Sequence, residues 1–274
     1  MPVIRSSCSP GGPAIAWGAV SDNTIIVARD HTVFEGALGQ LRPHTHGSLA
    51  ILVGLEAPFE VTARGQVEHG RIAVIPASVR HGLDFHDRRV LVCYAEPHAP
   101  GYASLHRSAA GSCRVLPGLD RDLEAALRLW SDEGRLESVW RWAHDRLGDE
   151  RATIDPRIAA LTARFSEDEL LDAPTEVLAE QVGLSTSRFI HLFTSELGAG
   201  VRRVKQYYRF KLAVRSVATG GSLTTAAHHA GFADSSHFSR AFLDTFGLSP
   251  ASVLLRTEDY RLNRAAGPAP SGDG

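Results

Sequence analysis

SRFIHLFTSELG at residues 187–198 and SHFSRAFLDTFG at residues 236–247 share one pattern, about 49 residues apart. Their apolar positions coincide and follow the i, i+3, i+4, i+8 spacing of one helix face. Each stretch ends on a glycine, the residue that most often closes a helix in the left-handed conformation. The repeat therefore predicts two short helices, each with one buried face; the coincident apolar positions are Phe189/Phe238, Leu192/Ala241, Phe193/Phe242 and Leu197/Phe246.

A smaller, alanine-rich segment and a glycine precede each copy. LAEQV leads into Gly183, and TTAAHHA leads into Gly231. A helix, a short glycine-containing turn and a second helix form the helix-turn-helix pattern, and alanines let the two helices approach closely. One such pair is common in any helical protein, but two in tandem favour DNA binding.

The second helix of each pair has a polar outer face. Side chains of these types reach base edges or phosphates in a major groove, and arginine to guanine is the commonest specific contact. We expect DNA contacts from Ser187, Arg188 and His191 in the first copy, and from Ser235, Ser236, His237 and Arg240 in the second.

The segment between the copies, residues 201–217, is basic and predicts a rigid helix that holds the two copies apart. Its six basic side chains face no acid within the segment, and six acidic residues cluster earlier, between Glu167 and Glu180. The positive surface is therefore expected to be local. Arg202 and Arg203 are predicted phosphate contacts.

These residues resemble the DNA-binding domain of the AraC family of transcription regulators from about Asp155 to Arg256. The match includes Arg209 with Ala213 and is most specific over GFADSSHFSRAFLDTFGLSP at residues 231–250. Two positions depart from the family pattern, Val204 in place of Tyr and Leu254 in place of an aromatic residue.

The resemblance implies a seven-helix domain that places two recognition helices in successive major grooves. Its matched positions point to base contacts by Ser187, His191, Ser236 and Arg240. Ile190 also falls at a reading position, where it offers apolar contact to a thymine methyl group.

The N-terminal half has a different pattern. Between residues 24 and 96, short runs rich in Val, Ile and Phe alternate with turn residues, which predicts a β-sandwich or barrel. From about residue 117, apolar residues recur at helical spacing and predict a helical hairpin that contains Trp130, Trp140 and Trp142. The hairpin packs either on the barrel or on a second subunit.

The fold class is therefore α+β, with a cupin-like β-barrel, a helical linker and an all-α C-terminal domain. The expected domains are 1–105 for the barrel, 106–150 for the linker and possible dimerisation hairpin, and 151–260 for DNA binding. The Pro/Gly/Ala-rich residues 261–274 are expected to be disordered.

Three histidines in the N-terminal half resemble parts of the cupin motifs. His44 and His46 resemble the first motif, and His81 ends a stretch that resembles the second. On a strand, residues i and i+2 share a face, so these side chains can meet inside a barrel and supply three ligands to Zn²⁺. The Glu of the first motif is missing, however. A small-molecule pocket without metal and a domain that only dimerises remain alternatives.

Length and composition allow two domains and exclude a membrane protein. The 274 residues have a formal net charge of −2, and no stretch approaches the roughly 18 apolar residues of a membrane span. The three cysteines have neither metal-ligand nor disulfide spacing. We expect a soluble protein that stays in the cytoplasm.

The leading hypothesis is a non-enzymatic transcription regulator controlled by a small-molecule effector or metal in the N-terminal domain. Its expected partners are double-stranded DNA, the effector, RNA polymerase and a second copy of the chain. The one candidate cofactor is a divalent metal such as zinc in the cupin-like domain. The alternative is a metal-dependent cupin enzyme fused to a DNA-binding module.

Overall fold

A computed structural model describes residues 23–99, 101–109, 111–116, 118, 121–133, 139, 142–143, 145–146 and 152–262. Its described residues contain nine strands, which form one mixed sheet in the order β8-β6-β3-β7-β2-β1-β9, with β4 paired to β5 and β7. We call β1–β8 together with the connecting segments the β-domain. The strands are β1 (Asn23–Val27), β2 (His31–His44), β3 (Leu49–Gly54), β4 (Phe59–Ala63), β5 (Gln66–Gly70), β6 (Ile72–Ile75), β7 (His81–Ala95), β8 (Arg114–Leu116) and β9 (Thr257–Leu262).

The long antiparallel pair β2 and β7 is the centre of the sheet. It runs from the His31–Ala95 pair at one end to the His44–His81 pair at the other. β3 pairs with the carboxyl-terminal part of β7, and β4 pairs with its amino-terminal part. Each Val-, Ile- and Phe-rich run of the sequence is a strand. β5 and β8 were not predicted, because one is largely exposed and the other is only three residues long.

Nine helices with defined bounds lie in the described part of the chain. They are α1 (Tyr102–Ser108), α2 (Arg121–Glu133), α3 (Pro156–Ser166), α4 (Thr175–Gln181), α5 (Thr186–Leu197), α6 (Val201–Ala218), α7 (Leu223–His229), α8 (Ser235–Phe246) and α9 (Pro250–Leu254). The two predicted helix-turn-helix units are α4–α5 and α7–α8, and α6 is the predicted helix between them.

Local sequence signals explain where these helices begin and end. At the start of α3, Pro156 is the first helical residue and the side chain of Asp155 accepts a hydrogen bond from the Arg157 N–H. At the start of α8, the Asp234 side chain accepts a hydrogen bond from the His237 N–H at 2.7 Å. α5 and α8 end at Gly198 and Gly247, which have φ of 68° and 76°. Both glycines thus adopt the left-handed conformation that the repeat predicted.

The described apolar stripe of the predicted hairpin is buried within the chain. Leu123 and Leu127 of α2 are 0% exposed, and the helical residues Val139, Trp142 and Ala143 are also buried. They belong to one apolar cluster with β-domain residues such as Ile72. Packing on the β-domain therefore covers this part of the stripe; the side chain of Trp130 and all of Trp140 lie outside the described residues.

β9 corrects the expected C-terminal boundary. The predicted DNA-binding domain was to end at residue 260 and the tail was to begin at 261, yet Thr257–Leu262 form one strand parallel to β1 of the β-domain. Tyr260 anchors the segment, because its hydroxyl donates to the Leu254 carbonyl. The remaining residues of the expected tail, 263–274, lie outside the described residues.

The buried apolar residues form two clusters that each combine both halves of the chain. One includes Ile51 of β3 with Phe189 and Phe193 of α5. The other includes Leu52 of β3 with Phe242 of α8. Successive residues of a strand point to opposite faces, so the two faces of β3 contribute to different helix-turn-helix units.

Gly247 occupies a tight contact between α8 and β2, which can be tested by substitution. A Cβ at this position would lie 2.6 Å from the Arg42 carbonyl oxygen, whereas a Cβ at Gly183, which has φ of 68°, would meet nothing within 4 Å. We expect Gly183→Ala to lose about 1–2 kcal/mol for the left-handed conformation alone. Gly247→Ala should lose about 1–3 kcal/mol more.

Urea unfolding of the two variants measures this difference. Equal losses would show that α8 and β2 do not pack closely at Gly247.

Candidate nucleic-acid interface

The outer face of α5 carries the polar side chains that the sequence predicted. Ser187, Arg188 and His191 are exposed, while Phe189 and Phe193 are 0% exposed. Ile190 is 44% exposed, and its contact to a thymine methyl group stays a prediction.

The outer face of α8 is similar. Ser236, His237 and Arg240 are exposed and Ser235 is half-buried, whereas Phe238 and Phe242 are buried. The polar residues belong to the amino-terminal half of the helix, which is the half that a recognition helix commonly inserts into a major groove.

Arg209 of α6 connects the two helix-turn-helix units. Its guanidinium donates to the carbonyl of Gly231, in the turn of the second unit, and to the Asp172 carboxylate, before the first unit. The N···O distances are 3.0 and 2.6 Å. The arginine that matches the family pattern therefore has a structural role.

The expectation of a basic surface along α6 is wrong for most of its length. Acidic residues that precede the first unit fold back onto the helix, so Arg209 pairs with Asp172 and Arg215 pairs with Asp168. Lys205 donates to a backbone carbonyl, and Lys211 is buried. Arg202 and Arg203 are exposed at the start of the helix.

Arg203 also lies against the β-domain. Its guanidinium donates to the Ser78 hydroxyl at 3.1 Å, and a Cβ at Gly47 would lie 2.4 Å from its carbonyl oxygen. Within the described residues the Arg202 side chain makes no hydrogen bond to the β-domain. Of the two predicted phosphate contacts, Arg202 is therefore the simpler one to test.

The carboxyl-terminal end of α8 is hydrogen-bonded to the end of β2 and to the residue that follows it. The Arg42 N–H donates to the Gly247 carbonyl at 2.9 Å, and the Thr45 N–H donates to the Asp244 carbonyl at 3.3 Å. These bonds join the second recognition helix to the residues beside His44 and His46.

A buried ion pair also joins the β-domain to α6. Lys211 Nζ lies 2.6 Å from Oε1 of Glu96, which follows β7, and the two side chains are 2% and 0% exposed. The same Nζ donates to the Arg29 carbonyl at 3.0 Å and to the Ser166 hydroxyl at 3.2 Å. The Tyr207 hydroxyl donates to the same carboxylate oxygen. Burial lowers the pKa of Lys211, and the Glu96 carboxylate opposes that shift.

The sequence analysis above did not predict this pair. It treated Lys211 as one of six basic surface residues, and it did not single out Glu96. The signal was weak, since 115 residues separate the partners.

The structure brings together the three histidines that the cupin-like motifs indicated. His44 and His81 are opposite residues of β2 and β7, and His46 lies in the connection between β2 and β3 rather than on a strand. Their ring centroids are 4.2 Å (His44–His81), 5.0 Å (His46–His81) and 6.2 Å (His44–His46) apart. All three are buried.

Each imidazole is fixed through Nδ1. His44, His46 and His81 place this atom 2.8, 2.6 and 2.9 Å from the backbone carbonyls of Arg42, Ser48 and Val79. Burial lowers the pKa of His44 to about 4 and that of His81 to about 3, and it holds the pKa of His46 well below 6.5. The three rings are therefore neutral at neutral pH.

Zinc binding by these three histidines stays a prediction. Within the described residues, no group of three or more His, Cys, Asp or Glu side chains is placed to hold a metal ion. Three imidazoles are chemically sufficient ligands, but a shared metal needs their donor atoms to converge at about 2.0–2.1 Å from one point.

The histidines line a cavity of about 90 Å³ between the β-domain and the DNA-binding helices. Its wall is mostly apolar and includes residues of both halves of the chain. Leu41, Leu52 and Phe85 come from the β-domain, and Val214 and Phe242 come from α6 and α8. A molecule in this cavity would therefore contact α6, which joins the two helix-turn-helix units, and α8 of the second unit.

The Glu96–Lys211 pair should be worth more than a surface pair, and single and double substitutions can measure it. Lys211→Met leaves a buried carboxylate without its partner and should lose about 3–5 kcal/mol of unfolding free energy. Lys211→Met with Glu96→Gln should lose less than the sum of the single losses, because the second change removes the uncompensated charge.

Arg261→Met is the matched control, since the Arg261–Asp259 pair is exposed and should contribute no more than about 1 kcal/mol. Urea unfolding of the full chain provides all four values. A loss for Lys211→Met as small as that of Arg261→Met would contradict the role assigned to the buried pair.

Comparisons with known proteins give matches for the C-terminal sequence and for the whole fold. A helix-turn-helix domain family model matches residues 178–256, and a search of curated proteins finds no match. ToxT from Vibrio cholerae O395 has a similar structure, with a TM-score of 0.58 and 11% identity over 83% of this chain and 97% of that one. Wild-type ToxT from V. cholerae strain SCE256, bound to an unsaturated fatty acid, gives a TM-score of 0.56 and 11% identity over 86% and 97%. Residues 178–256 thus match a helix-turn-helix domain family, and the chain as a whole has a fold similar to that of ToxT.

Proposed function

We propose that the chain is a transcription regulator that binds duplex DNA through α5 and α8 and responds to a small-molecule effector. The observation that carries the proposal is the pair of helix-turn-helix units whose second helices present polar side chains outward. Both helices bury the two phenylalanines at matching positions, Phe189/Phe238 and Phe193/Phe242, and expose the polar side chains of their outer faces.

The DNA-contacting residues are proposed from their placement. Arg240, with Ser236 and His237, reads bases from α8, while Ser187 and His191 read bases from α5. Arg188 and Ser235 lie beside them, and Arg202 and Arg203 contact phosphates, which adds affinity without sequence information.

The cavity between the two halves is the proposed effector site. It is small, mostly apolar and lined by both the β-domain and the DNA-binding helices. ToxT, which has the same fold, has been observed with an unsaturated fatty acid. A cavity wall shared by two domains lets an effector favour one arrangement of the domains over another, because its contacts differ between them.

The metal-dependent enzyme is the weaker alternative. It needs a metal site, and the described residues place no three ligands for one. We propose a non-enzymatic role for the β-domain.

No described helix is long and apolar enough to cross a membrane. We propose that the protein acts in the cytoplasm, where it meets DNA and RNA polymerase.

The test of the proposal is DNA binding by the full-length protein, with selection of bound fragments from genomic DNA. Binding should weaken with salt, and each neutralised phosphate should steepen the slope of log K against log salt by roughly 0.9. Arg240→Ala should relax the base preference at one operator position by about 1–3 kcal/mol. Arg202→Ala should weaken binding to all sequences alike.

Binding of both variants to the selected operator and to its single-base variants separates the two roles. If Arg240→Ala lowered affinity equally for every variant, Arg240 would be a phosphate contact. Failure to select any sequence at low salt would overturn the proposed function itself.

Homodimer formation also stays a prediction, now with less support from the helical hairpin. The described part of its apolar stripe packs on the β-domain of the same chain. A dimer would therefore have to use other residues of the hairpin or another surface. Sedimentation of the full-length protein at micromolar concentration should give twice the mass of one chain, and a single-chain mass would contradict the dimer.

A further inference from the structure

The hydrogen bonds of the three buried histidines determine which ring nitrogen carries the proton. Each Nδ1 lies within 2.9 Å of a backbone carbonyl oxygen. A carbonyl oxygen only accepts, so each Nδ1 must donate, and in a neutral imidazole Nε2 is then an acceptor with a free lone pair. Within the described part of the chain, Nε2 of His44, His46 and His81 makes no hydrogen bond.

The histidines therefore give the cavity three acceptors and no charge. Burial is the largest cause of their low pKa values, and the neighbouring Arg80 and Arg203 lower the pKa of His44 and His46 further. The wall beside them is apolar, with Leu41 and Phe85 among its residues.

The lysine on this wall is already fully used. An ammonium group has three donors, and Lys211 Nζ has three acceptors, namely Glu96 Oε1, the Arg29 carbonyl and the Ser166 hydroxyl. An anionic ligand would therefore find no donor at Lys211 unless it displaced Glu96.

We propose that the cavity takes a small neutral ring compound with two hydroxyl groups that donate to Nε2 of these histidines, one of them to His81. This inference rests on the proposed function, since it names the class of effector. A carboxylate would meet nitrogen lone pairs unless an imidazole took up a proton, which burial and the neighbouring Arg80 and Arg203 oppose. An ammonium group would lose its hydration without meeting a negative charge. A hydroxyl group satisfies the imidazoles without either cost.

Cavity size limits the ligand to about one ring. A cavity of about 150 Å³ accommodates benzene in an engineered protein. The cavity described above is smaller, about 90 Å³. A single six-membered ring thus needs only a small outward movement of the lining side chains, whereas a larger skeleton needs the domains to separate.

Calorimetric titration of the full-length protein at pH 7.5 with a chelator tests the proposal with three probes of similar size. Resorcinol has two hydroxyl donors, toluene has none, and benzoate is an anion. Resorcinol should bind at least tenfold more tightly than toluene, and benzoate should bind no more tightly than toluene.

His81→Asn isolates the contribution of one acceptor. The Asn amide N–H can replace Nδ1–H as donor to the Val79 carbonyl, but no atom replaces Nε2. This variant should bind resorcinol about tenfold more weakly and toluene unchanged. His69→Asn is the matched control on β5, where the His69 side chain is 63% exposed, and it should leave both affinities unchanged.

Several results would overturn the inference: equal affinity for resorcinol and toluene, tighter binding of benzoate, or no binding of any probe. Stoichiometric zinc binding that His81→Asn abolishes would assign the histidines to a metal instead. DNA binding by the same preparation separates this failure from failure of the proposed function. If DNA binding persists, only the effector class is wrong.

Discussion

The buried ion pair between Glu96 and Lys211 is the contact on which the relation of the two halves depends. Transfer of two charges out of water costs several kcal/mol per ion unless geometry and further hydrogen bonds compensate. Here the ammonium has three acceptors and the carboxylate also accepts from Tyr207. That compensation exists only when the end of β7 lies against α6. Any other arrangement of the domains must expose both charges to water or leave them unpaired, so the pair specifies this one.

The apolar clusters extend the same constraint over a larger surface. The two faces of β3 pack into different clusters, one with α5 and the other with α8. Movement of the β-domain relative to the helices would therefore disturb the cores of both helix-turn-helix units at once. Because the cavity lies inside this shared packing, a bound molecule can change the balance between arrangements without any long path through the protein.

Features set by neighbouring residues were predictable from the sequence. Each of these features depends on residues only a few positions apart. They are the repeat, the terminal glycines of α5 and α8, the Asp155-Pro156 start of α3 and the apolar runs of the strands. The juxtaposition of His44 and His81 was also within reach, since motif resemblance placed both in one barrel. The sequence could not supply the hydrogen bonds from Nδ1 to backbone carbonyls, which fix the orientation of each ring.

Features set by distant residues were not predictable. The acids that neutralise α6 are tens of residues away from it, and Glu96 is 115 residues from Lys211. β9 was assigned partly to the DNA-binding domain and partly to the tail, since nothing local indicates that TEDYRL pairs with β1. In each case a segment of charged residues, or of charged and apolar residues together, is predicted to lie on the surface as long as its partner is not known.

The glycine that closes each recognition helix has a second role that the repeat alone did not reveal. A Cβ at Gly198 would lie 2.4 Å from the His106 ring of α1, and a Cβ at Gly247 would lie 2.6 Å from the Arg42 carbonyl of β2. The Tyr102 hydroxyl also donates to the Leu197 carbonyl at the end of α5. The carboxyl-terminal ends of both recognition helices thus contact the N-terminal half of the chain, while their polar amino-terminal halves remain exposed. A change in that half can therefore alter the orientation of both helices while the DNA-facing residues stay unobstructed.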